Sequence, residues 1–340
     1  TGFTTNYQSY DPFGRPGRVR PPDGSGHDVT FTYLGDREVT RQVSIGTAWT
    51  GSAVTESLAA TVETYDAEGR LFSVREPSAP GGGNVTTTYT RDVGGRVTGT
   101  STTSGTTQTR SFGYDNLGNL LWENHPEKLQ NSLGQGHDVD YPAYNAVGRV
   151  LRRVDGTNDL TLAYDEALRL TLISETGGGQ RALKEFTYAT SNGAGERSLG
   201  KLRKAVRHNR FNLCGTGGAH DAAIEETYTY AGVGGGVSER ETVLRYDNVA
   251  GESFRQTFAW TALGLPDSIG YPRCTTCTGP ASVTRNISYG YSNGWVTSVP
   301  GYASAVSYLD SGLFSQITHS NNVIDTQAAD PSKMARPLSI

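Results

Sequence analysis

Large apolar and aromatic side chains recur two positions apart in short bursts along this chain. Phe31-Thr32-Tyr33, Phe112-Gly113-Tyr114, Leu162-Ala163-Tyr164, Phe186-Thr187-Tyr188, Phe258-Ala259-Trp260 and Tyr289-Gly290-Tyr291 are the clearest. Positions i and i+2 of a strand share a face, so each burst predicts a strand with two large groups on one side. The best copies then run into Asp-x-x-Gly. Asp at the first position and Gly at the fourth are type I turn preferences, and the Gly supplies positive φ. This is the signature of a three-residue hairpin loop with a bulge. After the Gly the strand pattern resumes, as in Arg70-Leu71-Phe72-Ser73-Val74 and Arg149-Val150-Leu151-Arg152-Arg153-Val154. The unit is strand, turn, strand. Helical periodicity is nearly absent, and its two short candidates are 222–226 and 198–202.

The unit repeats. Tyr10-Asp11-Pro12-Phe13-Gly14, Tyr65-Asp66-Ala67-Glu68-Gly69-Arg70, Tyr114-Asp115-Asn116-Leu117-Gly118, Tyr144-Asn145-Ala146-Val147-Gly148-Arg149 and Tyr164-Asp165 carry it most plainly. Alignment on the Tyr places copies at 10, 33, 65, 91, 114, 144, 164, 188, 230, 246, 260, 291, 308 and 329. The spacing is roughly 20–30 residues, in the range of repeat architectures. Arg91 and Trp260 replace the Tyr, and Leu168 and Lys333 replace the Gly. A longer echo pairs Gly24-Ser25-Gly26-His27-Asp28-Val29-Thr30-Phe31 with Gly134-Gln135-Gly136-His137-Asp138-Val139-Asp140-Tyr141. One hairpin is marginal alone, whereas stacked hairpins stabilise one another. The predicted fold class is therefore all-β: repeated antiparallel β-hairpins winding into a continuous sheet. The whole of 1–340 reads as one array, with no internal domain boundary.

Composition agrees with strands and turns. The 340 residues include 43 Gly and 18 Tyr but one Met, and only 35% are hydrophobic. A net charge of −4 gives no basic footprint for nucleic acid. No apolar run approaches the roughly 20 residues a membrane-spanning helix needs. Thr1-Gly2-Phe3-Thr4 has neither the charged nor the apolar region of a signal peptide. Both ends read as cuts through an array, which predicts an internal fragment of a longer chain. Strand edges left open at such cuts invite pairing with other chains.

The motif Tyr-Asp-x-x-Gly-Arg-Leu at this spacing resembles the YD repeats of the Rhs family, shared by Tc-toxin B/C cocoons and the teneurin shell. The resemblance covers nearly the whole chain and is clearest at Tyr10, Tyr65, Tyr114, Tyr144 and Tyr164. It implies a secreted or cell-surface protein whose hairpins spiral into a hollow β-shell lined with Tyr. Such a shell encloses a C-terminal toxin or serves as a surface module. The implied partners are the remainder of a longer chain, an enclosed toxin or cargo, and further copies in self-assembly. Rhs cores close with a plug and an aspartyl self-cleavage site. The segment Asp330-Pro331-Ser332-Lys333-Met334-Ala335-Arg336-Pro337 matches an ordinary copy of the repeat better than that site.

Candidate chemistry is thin. Asp66, Asp115 and Asp165 have the residue type of a general acid or base, but an active site is built once, whereas these recur. Turn residues that bond nearby N–H groups are the structural reading. Arg15, Arg70, Arg96, Arg149 and Arg169 follow the turn in register, placed to pair with a motif Asp or to stack on Tyr. Cys274-Thr275-Thr276-Cys277 leaves three readings open. They are a local disulfide, free thiols, or a metal site of Cys214, Cys274 and Cys277 with His208 or His220. Gly177-Gly178-Gly179-Gln180-Arg181-Ala182 partly matches a dinucleotide fingerprint, but that motif needs a helix directly after it, and strand pattern returns at once. Asn84-Val85-Thr86 and Asn286-Ile287-Ser288 are glycosylation sequons. The Gly/Pro/Ser-rich stretches 76–84, 192–200, 212–222 and 270–282 read as surface loops where specificity would reside. The expectation is a structural, non-catalytic protein without cofactor. Its alternative is an extracellular adhesion module or fibre component that binds a receptor or carbohydrate through loops or Tyr ladders.

Overall fold

The structure is a computed structural model that describes residues 4–22, 25–49, 54–77, 83–176, 181–212, 219–309, 312–329 and 337–339. Cys214, Gly177 to Gln180 and Asp330 to Arg336 lie outside these residues, as do 78–82 and 213–218 of two predicted loops. The described residues contain strands, turns and three single-turn 3-10 segments, and no α-helix. The two helix candidates are otherwise. Residues 222–226 belong to the strand Ala219–Thr229, and 198–202 form a turn entering the strand Leu202–Asn212. Their polar residues sit on opposite strand faces, an alternation a five-residue window cannot distinguish from a helix.

The chain forms two compact units. The first comprises 1–141, 309–313 and 327–340, the second 142–308 and 314–326. In the first unit, strands from Asn6–Tyr10 to Leu120–Asn124 pair antiparallel, each with the next in sequence. In the second, the same rule runs from Val150–Asp155 through Val249–Trp260 and on to Pro266–Gly270. Short hairpins Gly290–Ser292/Trp295–Ser298 and Ala303–Tyr308/Phe314–His319 follow.

The register slips beside the motif Tyr in hairpin after hairpin. It does so between Thr64 and Tyr65, Ala163 and Tyr164, Thr187 and Tyr188, Ala259 and Trp260, and Ser307 and Tyr308. This is the bulge that follows a type I turn closed by a residue of positive φ. Gly14, Gly69, Gly118 and Gly148 take that conformation, with φ of 77, 75, 92 and 77°. Leu168 takes it too, at 61°.

Few side chains are fully buried. Val62 and Val139 in the first unit, and Val154, Ala223, Tyr230, Cys274 and Ala303 in the second, are the buried apolar residues described. Most strand residues are half-buried on both faces. With so few described side chains buried, much of the cohesion falls to bonds between neighbouring hairpins.

Candidate functional site: the tyrosine turn ladder

Each motif turn is closed by its own residues. In Tyr65–Arg70, the Gly69 N–H donates to the Asp66 carbonyl and the Asp66 N–H to the Arg70 carbonyl, at 3.1 and 2.9 Å. Asp66 Oδ1 accepts from the N–H groups of Glu68 and Arg70, while Oδ2 accepts from Arg70 Nε at 2.8 Å. Asp11, Asp92 and Asp165 hold Arg15, Arg96 and Arg169 in the same way, at 2.7, 2.6 and 2.7 Å. Asp115 holds Asn119 at 2.8 Å, and Asn145 caps its own turn from the Val147 and Arg149 N–H groups.

The electrostatics follow from these bonds. The Arg169 guanidinium and N–H hold the Asp165 carboxyl below the usual range against an opposing effect of burial. Burial pushes Asp66 and Asp92 upward, but their Arg partners outweigh it and both carboxyls are lowered. A carboxylate held in its charged form by two or three donors is a weaker base than a free one.

The turns are then joined to one another. The Tyr33 hydroxyl donates to the Pro16 carbonyl at 3.1 Å, two residues past the glycine of the preceding motif turn. Tyr114 reaches Val97 in the same way at 3.0 Å, Tyr164 reaches Val150 at 3.0 Å and Tyr188 reaches Leu170 at 3.0 Å. Tyr230 reaches Leu202 at 2.6 Å, Tyr291 reaches Pro266 at 2.7 Å and Tyr308 reaches Val296 at 2.8 Å. The replacements keep the bond. Arg91 Nη2 donates to the Leu71 carbonyl at 3.2 Å, and Trp260 Nε1 to that of Val237 at 2.8 Å. Arg and Trp look like lost copies in an alignment. Each nonetheless ends in an N–H donor on a long side chain, which is what the position needs.

The basic residue after the glycine completes the join. Arg15 lies over the Tyr33 ring at 4.1 Å, Arg96 over Tyr114 at 5.1 Å and Arg169 over Tyr188 at 4.3 Å. Arg96 Nη1 also donates to the Asp115 carbonyl, and Arg169 Nη1 to that of Gly200, both at 2.8 Å. Lys201 takes this place over Tyr230 and donates to the Gly235 carbonyl. Arg15, Arg96 and Arg169 therefore each pair with their own Asp and stack on the Tyr of the next hairpin, so at these turns the pairing and the stacking expected from sequence coexist; Arg70 pairs with Asp66, and Arg149 follows Asn145 instead of an Asp.

Several motif positions depart from the ladder. Tyr10 is 59% exposed at the end of the first strand, paired across the sheet with Pro16. The Tyr65 hydroxyl turns to Glu63 Oε2 at 2.5 Å. The copy at Tyr246 is a different turn. Asp247 and Asn248, with φ of 48 and 66°, form a tight two-residue connection at the opposite edge, and Asp247 Oδ2 lies 2.8 Å from His220 Nδ1.

Other contacts escape a motif search. Asn131 Nδ2 donates to buried Asp140 Oδ2 at 2.7 Å, and His137 Nδ1 lies 2.8 Å from Oδ1 of the same carboxylate, its ring stacked on Trp122 at 4.4 Å. His208 bridges Asp221 at 2.6 Å and Glu185 at 2.9 Å. The only sequence signal for His137 and Asp140 was the echo at Gly134–Tyr141, whose first copy has Thr30 where the second has Asp140. Cys274 and Cys277 are joined in a disulfide, which removes both thiols from the free-thiol and metal-ligand readings.

Hollows recur between successive turns. One of about 460 Å³ is lined by Asp165, Arg169, Phe186 and Tyr188, and one of about 270 Å³ by Asp66, Arg70, Phe72, Tyr89 and Arg91. Asp165, Arg169, Asp66, Arg70 and Arg91 among them are held by the bonds of the turns and the ladder. Among the described residues, no three His, Cys, Asp or Glu side chains converge to hold a metal ion.

Fold and ladder together define an antiparallel hairpin-repeat protein. Its fold is similar to that in the crystal structure of TcdB2-TccC3-Cdc42, with a TM-score of 0.57 at 13% identity over 98% of this chain and 16% of that chain. The crystal structure of TcdB2-TccC3 matches at a TM-score of 0.46 and 12% identity, over 98% of this chain and 21% of that one. This chain thus spans less than a quarter of the length of either. No family model and no curated protein matches the sequence.

Proposed function

We propose that this chain is a structural, non-catalytic segment of a YD-repeat β-shell, part of a large secreted or cell-surface protein of the Rhs kind. The ladder carries this reading. Nine long side chains, at positions 33, 91, 114, 164, 188, 230, 260, 291 and 308, donate back to the preceding hairpin. Such a device couples neighbours along a sheet that has little core of its own, and a wall needs that coupling. The fold likeness to TcdB2-TccC3-Cdc42 supports the same reading. The work of the segment is mechanical: its hydrogen-bonded sheet encloses a toxin or other cargo, or forms a stiff extracellular wall, together with the rest of a longer chain. Electron microscopy and mass measurement of the intact parent protein from its native source test this. A closed hollow particle much heavier than this segment, with density inside, is the expected result. A solid globule, or a parent no larger than this chain, would overturn it.

A further inference from the structure

The long strand Val249–Trp260 meets two different partners along one of its edges. Its other edge pairs with Glu239–Tyr246 over most of its length. On the first edge, the next hairpin takes only Phe258 to Trp260, through Pro266–Gly270. Shortly after, the chain forms the two-residue strand Arg273–Cys274, which pairs with Arg255 and Phe254. Phe254 is thus bracketed by Thr242 on one side and Cys274 on the other. Directly beyond, the Thr275 N–H donates to the Ser253 carbonyl at 2.7 Å, and the Thr275 hydroxyl to the same oxygen at 3.2 Å. The Ser253 N–H donates to Thr276 Oγ1 at 3.2 Å. Among the described residues, no strand takes the rest of this edge, Val249 to Glu252.

Covalent closure holds this short piece in place. Thr275 and Thr276 are exposed, so water competes for each bond they make. One net hydrogen bond offsets at most about the ordering of one backbone residue. The bridge joins Cys274 to Cys277 at a sequence separation of 3, and it restricts the turn before the turn docks. Its two sulfurs are not equivalent. Cys274 is 1% exposed, whereas Cys277 is half-buried. A thiolate arriving from solvent therefore attacks Cys277 Sγ, and Cys274 is the leaving sulfur. Thr276 Oγ1 lies 3.6 Å from Cys274 Sγ. A disulfide sulfur carries no hydrogen, so the hydroxyl is the donor in this contact. The same donor favours the thiolate that forms there when the S–S bond breaks.

We infer that the Cys274–Cys277 bridge is a reducible clip on the sheet. Oxidised, it covers the edge of Val249–Trp260 from Ser253 to Arg255; reduced by a dithiol, it lets that edge open. A thiolate of the reductant attacks Cys277 Sγ, the S–S bond breaks, and Cys274 leaves as a thiolate that takes a proton from water. The second thiol of the reductant, as its thiolate, then attacks the reductant sulfur of the mixed disulfide. Cys277 leaves in turn and is protonated, and the reductant ends as a disulfide. The protein has gained two electrons and two protons. Opening exposes unpaired N–H and C=O groups of a strand, the groups through which sheets extend. Disulfides persist in oxidising compartments and are reduced in the cytosol, so the two states belong to different surroundings. The clip acts in the same way whatever the sheet encloses.

Hydrogen exchange of the whole chain at neutral pH, with and without excess dithiothreitol, is the test; alkylation and mass mapping identify the cysteines that are freed. On reduction, the Ser253 and Thr275 amides are expected to exchange at least about tenfold faster, while protection in Leu202–Asn212 and Glu239–Tyr246 stays as it was. Cys274→Ser/Cys277→Ser is expected to show the fast exchange without reductant and no further response to it. The wild-type measurement decides even where that variant fails to fold. Thr276→Val is expected to slow the reduction itself, and Thr276→Ser to restore the wild-type rate. Unchanged exchange at Ser253 after complete reduction of the pair would overturn the proposal. So would loss of protection throughout the second unit, which would make the bridge a general staple of the fold, or a bridge that resists dithiothreitol until the chain unfolds. Thr276→Val also removes the acceptor of the Ser253 N–H, so a threonine that only braces the turn would give faster reduction. That outcome would overturn the part assigned to Thr276.

Discussion

The two edges of the hairpins are built from bonds of different reach. At the turn edge, Asp66 Oδ1 accepts from groups two and four residues on. At the opposite edge of the first unit, Asp140 holds Asn131, nine residues away, and the Tyr141 hydroxyl holds Glu123 across 18 residues. In the second unit, His208, midway along the strand Leu202–Asn212, likewise reaches 13 residues to Asp221 and 23 to Glu185. Six consecutive residues contain everything a motif turn needs, so it can be copied along the chain. The opposite edge is assembled from residues that meet only once the strands have paired, and each connection finds its own solution. One edge is modular; the other is particular.

This contrast predicts unequal costs of damage. The largest belongs to the particular edge. Asp140→Ala would leave Asn131, itself buried, without its acceptor and His137 without its carboxylate. A loss of about 3 kcal/mol is expected, the range for orphaning buried polar partners. Urea unfolding of the variant against wild type measures it, and a loss below that of the turn variants would reverse the ranking of the edges.

Gly69→Val comes next. No atom lies within 4 Å of the added Cβ, so the whole cost is conformational. Forcing a β-branched residue to a φ of 75° should destabilise by about 2 kcal/mol. Its hydrogen-exchange signature should be confined to the hairpin 54–77, because the turn is self-contained. Loss of protection along the whole first unit would mean that the turns are not modular.

The ladder between hairpins is probed by Tyr230→Phe. The ring stays buried and only the donor to the Leu202 carbonyl is removed. About 1 to 2 kcal/mol should be lost, with exchange quickening in both Leu202–Asn212 and Ala219–Thr229. Trp260→Tyr should cost less, because a hydroxyl replaces the Nε1–H donor. In the other direction, Leu168→Gly should stabilise by about 0.5 kcal/mol, relief of left-handed strain offset by unfolded-state entropy.

The legibility of the sequence divides along the same line. Strand, turn and bulge were readable at Tyr65 to Arg70 because alternation and turn chemistry act over a few residues. The acceptor of each Tyr was not readable, since Tyr33 and Pro16 meet only through strand pairing. Arg91 and Trp260 looked like decay because alignment compares residue names, while the site compares donors. Tyr246-Asp247 looked like a copy because the motif does not record which edge a turn occupies. The carboxylate partners of His208 carried no local signal at all.

The local turns and the long-range cluster at His208 should also titrate in opposite senses, the smallest effect and the sharpest test of the contrast in reach. At the turn edge the Arg partners hold Asp66, Asp92 and Asp165 below the ordinary aspartate value. Their contribution is present above about pH 3.9 and is lost as pH falls through the lower folded values. His208 behaves inversely. Burial opposes its charge, but Asp221 and Glu185 outweigh it and raise its pKa. Its contribution is full below about pH 6.5 and is lost as pH rises through the higher folded value. Hydrogen-exchange protection factors for Leu202–Asn212 and Ala219–Thr229 should therefore decline from pH 6 toward 8, while those of the hairpin 54–77 stay flat until strong acid. His208→Gln should abolish the first decline and leave the acid transition in place. A wild-type protection profile that is level across pH 6 to 8 would mean that His208 is not charged in the fold, and that the local turns and the long-range cluster differ in reach without differing in electrostatics.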